Sequence, residues 1–115
     1  LYNMSKLPEE FLKHILDEIV YLINTSENLD ELYFARNETL QRAFARSLEI
    51  IGEASKNLPS EYKQTNNEVD WKSVAGMRDK LIHHYFGVDY EIVWDVVKNE
   101  IPKLKLDIEK LIEVK

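Results

Sequence analysis

The stretch Met77-Arg78-Asp79-Lys80-Leu81-Ile82-His83-His84-Tyr85-Phe86-Gly87-Val88-Asp89 puts a guanidinium, a carboxylate, two imidazoles and a phenol within eight residues, Arg78 to Tyr85. Gly87 behind them predicts a helix stop. On a helix of 3.6 residues per turn Arg78 and Tyr85 share a face, whereas Arg78 and His83 point roughly 140° apart. One straight helix therefore cannot easily bring both to one small site. Either the helix unwinds before Tyr85, or a second copy of the chain completes the site.

Outward from this stretch the pattern is helical nearly throughout. Phe11, Leu12, Ile15, Leu16, Ile19, Val20, Leu22 and Ile23 form a stripe behind Pro8-Glu9-Glu10, which suits a first turn. His14, Asp17 and Tyr21 fall beside it and are expected to edge the core, with a supporting role for His14 near the site as the alternative. Residues 24–37 read as a connection holding a short helix at Asp30 to Ala35. A second long helix is expected from Glu38, capped by Asn37, to about Leu58 before Pro59. Its apolar face is Leu40, Phe44, Ile51 and Leu58, with Leu48 beside them.

On the opposite face Arg42, Arg46, Glu49 and Glu53 stand in line. Like charges four apart repel mildly, by a few tenths of a kcal/mol, so the line is either a tolerated solvated stripe or a pairing surface. A two-fold axis across this helix would set Arg42 and Arg46 against the mate's Glu53 and Glu49. Ser60 to Asp70 is polar and reads as an exposed loop, Asp70 can cap a helix starting at Trp71, and Asp89 can cap the last one. Val93, Val97, Ile101, Leu104, Ile108 and Leu111 keep one helical phase across Pro102, which predicts a kinked but continuous helix. The fold class is all-α, an antiparallel bundle of four to five helices with its C-terminal helix kinked at Pro102.

The chain has 115 residues, 44% of them apolar, enough for one domain that buries about two-thirds of its unfolded surface. It has no cysteine, which excludes disulfides and thiolate metal sites. It has no apolar run of membrane-spanning length and no signal-peptide layout, so the cytoplasm is the expected location. Leu1-Tyr2-Asn3 ahead of Met4 can be a cloning remnant, with residues 4–115 the domain. The net charge of −6 argues against broad, sequence-independent nucleic-acid binding. Between Trp71 and Val88, however, Lys72, Arg78 and Lys80 face only Asp79, a sum of +2 that leaves −8 for the rest. That window is either a chance fluctuation or a small cationic pocket suited to a few phosphates.

Arg78-x-x-x-x-His83-x-Tyr85, with Asp79 after the arginine and Phe86-Gly87-Val88-Asp89 behind, resembles the signature of the HEPN superfamily, and more narrowly the HepT toxins of prokaryotic MNT–HEPN (type VII) toxin–antitoxin pairs. The likeness extends to Leu48-Glu49-Ile50-Ile51-Gly52-Glu53-Ala54, to Ile92-Val93-Trp94 and to Val97-Lys98-Asn99. It implies an endoribonuclease acting on tRNA or mRNA, with the sites of two protomers meeting in a homodimeric cleft. It also implies a partner MNT nucleotidyltransferase, the antitoxin, that adds AMP to Tyr85, so that the added phosphates fill the arginine-lined cleft and repel RNA.

The side chains fit that chemistry. No metal-ligand spacing is present, since His83 and His84 are adjacent and no His-Glu-x-x-His occurs, so neither a metal nor another cofactor is expected. A histidine can exchange a proton with a ribose 2′-hydroxyl or a leaving oxygen near neutral pH, and an arginine can hold the scissile phosphate. His83 is the expected acid/base, Arg78 the phosphate clamp, Asp79 a group orienting one of them and Tyr85 the fourth site residue. His84 is the runner-up base, and Glu53 and Lys80 are supporting candidates. The alternative is a non-catalytic nucleotide-binding module, a dimeric partner and substrate of the nucleotidyltransferase.

Overall fold

Pro8 opens the first helix in the computed structural model, which describes residues 8–83 and 87–113; Leu1-Tyr2-Asn3, Met4, His84, Tyr85 and Phe86 lie outside them. Helix α1 spans Pro8–Ser26 and buries Leu12, Ile15, Ile19 and Leu22, each contributing about 1.5–3 kcal/mol relative to exposure. Phe11, Leu16 and Ile23 flank them half-buried, and Val20 turns to solvent. His14 is exposed and lies 4.0 Å from Glu18 on its own helix, as expected of an edge residue.

The connection holds the short helix α2, Glu31–Ala35, capped by Asp30, whose carboxylate accepts from the Tyr33 N–H. Helix α3, Glu38–Lys56, starts where Asn37 accepts from the Leu40 N–H at 3.0 Å. It lies against α1, and the Ser47 hydroxyl donates to Glu18 at 2.8 Å across that contact. Phe34 of α2 is buried between Phe44 of α3 and Trp94, with ring centroids 5.1 and 5.2 Å away.

Beyond α3 the chain departs from its expected course in two places. The polar segment after Pro59 is not all loop: Ser60–Thr65 forms a helical turn and a half, α4, because Pro59 supplies an extended N-cap whose carbonyl accepts from the Lys63 N–H. The signature helix does not run to Gly87. It is broken into α5, Trp71–Ala75, and α6, Met77–Leu81, with Gly76 serving as the C-cap of one and the N-cap of the other. Ile82 is extended, and Ile82–His83 (β1) pairs antiparallel with Gly87–Val88 (β2), Ile82 opposite Val88 and His83 opposite Gly87. Gly87 has φ +78°, so it shapes this small hairpin instead of ending a helix.

Asp89 ties the open end of the hairpin to the next helix. Its N–H donates to the Leu81 carbonyl at 2.7 Å, and its carboxylate caps α7, Tyr90–Asn99, by accepting from the Glu91 and Ile92 N–H groups. Helix α8, Ile101–Glu113, follows after the single residue Glu100. Glu100 stays in the right-handed helical region, donates to Val96 and accepts from Leu104, so α7 and α8 form one rod kinked beside Pro102. Val93, Val97, Ile101, Leu104, Ile108 and Leu111 are all buried along it. The architecture is an all-α antiparallel bundle built on α1, α3, the broken α5–α6 and the kinked α7–α8. Among the described residues no helix is long and apolar enough to cross a membrane.

Candidate functional site

Arg78 lies on the one-and-a-half-turn helix α6, which is docked against α3. Just before it, at Gly52, the backbones of α3 and α5 come close: a Cβ there would stand 3.3 Å from the Val74 carbonyl oxygen and 3.4 Å from that of Ala75. One turn earlier on α3 is Glu49, and its Oε2 receives the Arg78 Nε–H at 3.2 Å. The other oxygen, Oε1, is held at 3.2 Å by Arg46 Nη1, which also lies 3.9 Å from Glu53. Glu49 is the least exposed member, at 25% of its side chain against 56% for Arg78 and 60% for Arg46. The like-charge line of α3 is thus relieved within the chain, since Arg42 pairs with Glu38 at 3.0 Å as well.

His83 follows Arg78 by five residues but not by five helical residues. Two extended residues after Leu81 release it from the phase of α6, so the 140° separation no longer applies, and the two Cα atoms are within about 11 Å by element geometry. The helix thus unwinds before Tyr85, while the His83 side chain lies outside the described residues. The backbone of His83 is paired with Gly87. The roles assigned to His84 and Tyr85 fall outside the described residues.

Asp79 is exposed; its backbone carbonyl accepts from the Ile82 N–H, and its carboxylate forms no hydrogen bond or ion pair with the described residues. Lys80 is two positions from Arg78, so it turns about 200° away on the helix and meets Glu100 at the α7–α8 kink, 2.5 Å from its carboxylate. Lys72 lies elsewhere again, in a groove of about 770 Å³ under α4 with Lys63, Glu68, Asp70 and Trp71. Beside that groove the Tyr62 phenol is pushed up from its ordinary pKa by burial and then by the Glu68 carboxylate. The three cations of the basic window therefore do not converge into one pocket: Arg78 pairs with Glu49 on α3, and Lys80 turns to Glu100. Glu53 touches the site only through Arg46. The residue that sequence reading passed over is Glu49. The available signal was its position three residues after Arg46, where i and i+3 side chains meet on a helix.

Among the described residues no group of three or more His, Asp or Glu side chains is arranged to hold a metal ion. What the arrangement offers is an oriented guanidinium at a helix end, followed by a histidine on a short strand.

Comparison with known proteins identifies the family. The family model described as Ribonuclease HepT-like matches residues 12–111. A protein of Caldanaerobacter subterraneus subsp. tengcongensis provisionally named an RNase is 47% identical over 108 residues, covering 94% of this chain and 96% of that protein. One from Methanocaldococcus jannaschii, likewise provisionally named an RNase, is 44% identical over 103 residues, covering 90% and 85%. The probable ribonuclease HepT of Thermococcus cleftensis is 42% identical over 108 residues, covering 94% and 98%. No solved structure matches. With the family model spanning all but the ends of the chain and these relatives aligned along nearly their whole lengths, the chain belongs to the HepT-like ribonuclease family.

Proposed function

We propose that this chain is an endoribonuclease toxin that cleaves RNA without a metal ion, working as a homodimer and silenced by a nucleotidyltransferase antitoxin. The observation that carries the reading is Arg78 held by Glu49 at the end of α6, five residues before His83 on a segment freed from helical phase, in a chain of the HepT-like family. Arg78 binds the scissile phosphate through its free guanidinium edge. His83 takes the proton of the ribose 2′-hydroxyl, the 2′-oxygen attacks phosphorus, and the bond to the 5′-oxygen breaks. The leaving oxygen acquires a proton, leaving a 2′,3′-cyclic phosphate and a 5′-hydroxyl. His84 is the alternative base. Transfer of AMP to the Tyr85 phenol by an MNT-type partner would add phosphates beside Arg78 and exclude RNA.

The test is incubation of partner-free protein with tRNA and mRNA in EDTA beside His83→Ala, with analysis of the product ends. Cleavage by the wild type alone, leaving 2′,3′-cyclic ends, is the expected result. A folded, unmodified wild type that cuts nothing would favour a second reading, a nucleotide-binding partner of the nucleotidyltransferase. The net charge of −6 is the observation on that side, because it weakens long-range attraction of RNA.

A further inference from the structure

We infer that Glu49 is a positioning residue for Arg78, and that Arg46 holds Glu49 in place for that task. The inference rests on the reading of Arg78 as the phosphate clamp. Arg78 comes from a five-residue helix whose own turns could not fix so long a side chain. Its Nε–H is engaged by Glu49 Oε2 at 3.2 Å, while its two terminal nitrogens have no partner among the described residues. A guanidinium is planar, so one fixed Nε–H bond aims its terminal edge, and that edge can take two phosphate oxygens at once. Glu49 in turn is fixed from the opposite side by Arg46, oxygen by oxygen, at 3.2 Å. A carboxylate shared between two arginines leaves net positive charge for the incoming phosphate, which a single Glu–Arg pair would not.

Two opposing effects make this separable from a merely structural role. Removing the Glu49 carboxylate takes a negative charge from beside the clamp, so RNA in the ground state should bind at least as tightly. The same change frees the guanidinium, and misplacement of a catalytic group by about 1 Å can cost on the order of a hundredfold in rate.

The experiment measures kcat and KM of full-length protein on one RNA transcript that the wild type cleaves, for Glu49→Ala, Glu49→Gln, Arg46→Ala, Arg78→Lys and the Glu49→Ala/Arg78→Lys double variant. Thermal melts check folding. Glu49→Ala should lower kcat about ten- to a hundredfold with KM unchanged or lower. Glu49→Gln, of the same size, should fall between because its amide oxygen can still face Arg78. Arg46→Ala should show a smaller loss in kcat. On top of Arg78→Lys, whose ammonium has no planar fork to aim, Glu49→Ala should cost nothing further. An unchanged kcat in Glu49→Ala, or an equal loss in both backgrounds, overturns the inference.

Wild-type protein that cleaves no RNA would instead overturn the ribonuclease reading. The Arg78–Glu49 link is then decided by the Arg78 Nε–Hε resonance in a nitrogen-proton NMR spectrum. A protected signal lost in Glu49→Ala supports the link, and a signal equally exchange-broadened in both proteins overturns it.

Discussion

Gly52 lies so close to the Val74 carbonyl that the only side chain it can carry comfortably is hydrogen: a Cβ there would stand 3.3 Å away, with the Ala75 carbonyl at 3.4 Å. Both neighbours are backbone atoms, which cannot swing aside as a side-chain tip would. Two terms of opposite sign act in Gly52→Ala. Alanine favours the helix by about 1 kcal/mol, and forcing α3 from the α5–α6 turn costs about 1–3 kcal/mol. We expect a net loss of about 1 kcal/mol in urea unfolding, together with a larger fractional loss of RNA cleavage, because that turn carries Arg78. A variant more stable than the wild type would mean that the contact has room to give.

Asp70 accepts the Ser73 N–H at 3.1 Å and the Ser73 hydroxyl at 2.9 Å. Those two bonds, the backbone one first, hold its carboxyl below the ordinary carboxylate pKa, with Lys72 adding a little and burial opposing. A depressed folded-state pKa gives stability that is present above the unfolded value, about 3.9, and lost as pH falls through the folded one. Melting temperatures of wild type and Asp70→Ala should therefore differ at pH 7 and converge as the pH drops below about 4. A gap that stays constant down to pH 2 would show that the cap does not depend on charge.

Phe34 is 1% exposed, whereas its neighbours Leu32 and Tyr33 are 60% and 54% exposed. Its ring fills the space between Phe44 and Trp94 and so ties α2 to α3 and α7. Phe34→Ala should cost about 3–5 kcal/mol, and Leu32→Ala or Tyr33→Ala no more than about 0.5 kcal/mol, measured by denaturant unfolding. Comparable losses at all three positions would mean that Leu32 and Tyr33 are covered in solution.

These positions also mark how far the sequence could be read. Helices α1 and α3, the kinked C-terminal rod and the caps at Asn37, Asp70 and Asp89 follow from local periodicity and capping chemistry, so they were legible. The break at Gly76 and the stop at Leu81 were not. Met77 to Ile82 contains no helix breaker; what ends α6 lies downstream, the pairing of Ile82 with Val88 and the Asp89 N–H on the Leu81 carbonyl. Helix α4 was missed because Ser60 to Thr65 has no apolar stripe, and a short turn behind proline needs none. The choice among Leu32, Tyr33 and Phe34 needed Trp94, some sixty residues on. In the candidate site, Arg78 and His83 stood out by residue type. The Glu49 contact did not, because it joins residues 29 apart and exists only once α6 has docked on α3.

Lys80 and Arg78 offer the sharpest contrast within the signature. They are two residues apart, both cationic and both about half exposed, yet Arg78 faces α3 and Lys80 faces the carboxylate of Glu100 at 2.5 Å. An exposed pair of this kind contributes about 0–1 kcal/mol, and less as salt rises. Lys80→Ala should therefore change stability by no more than about 1 kcal/mol and leave RNA cleavage within about twofold, since a surface charge away from the scissile phosphate acts mainly on association. Arg78→Ala removes the donor to the developing phosphate charge and should lower kcat by about a hundredfold or more. Both variants can be assayed on one RNA at two salt concentrations. If Lys80→Ala loses as much as Arg78→Ala at both, Lys80 leaves Glu100 to reach the RNA, and the site extends to the kink between α7 and α8.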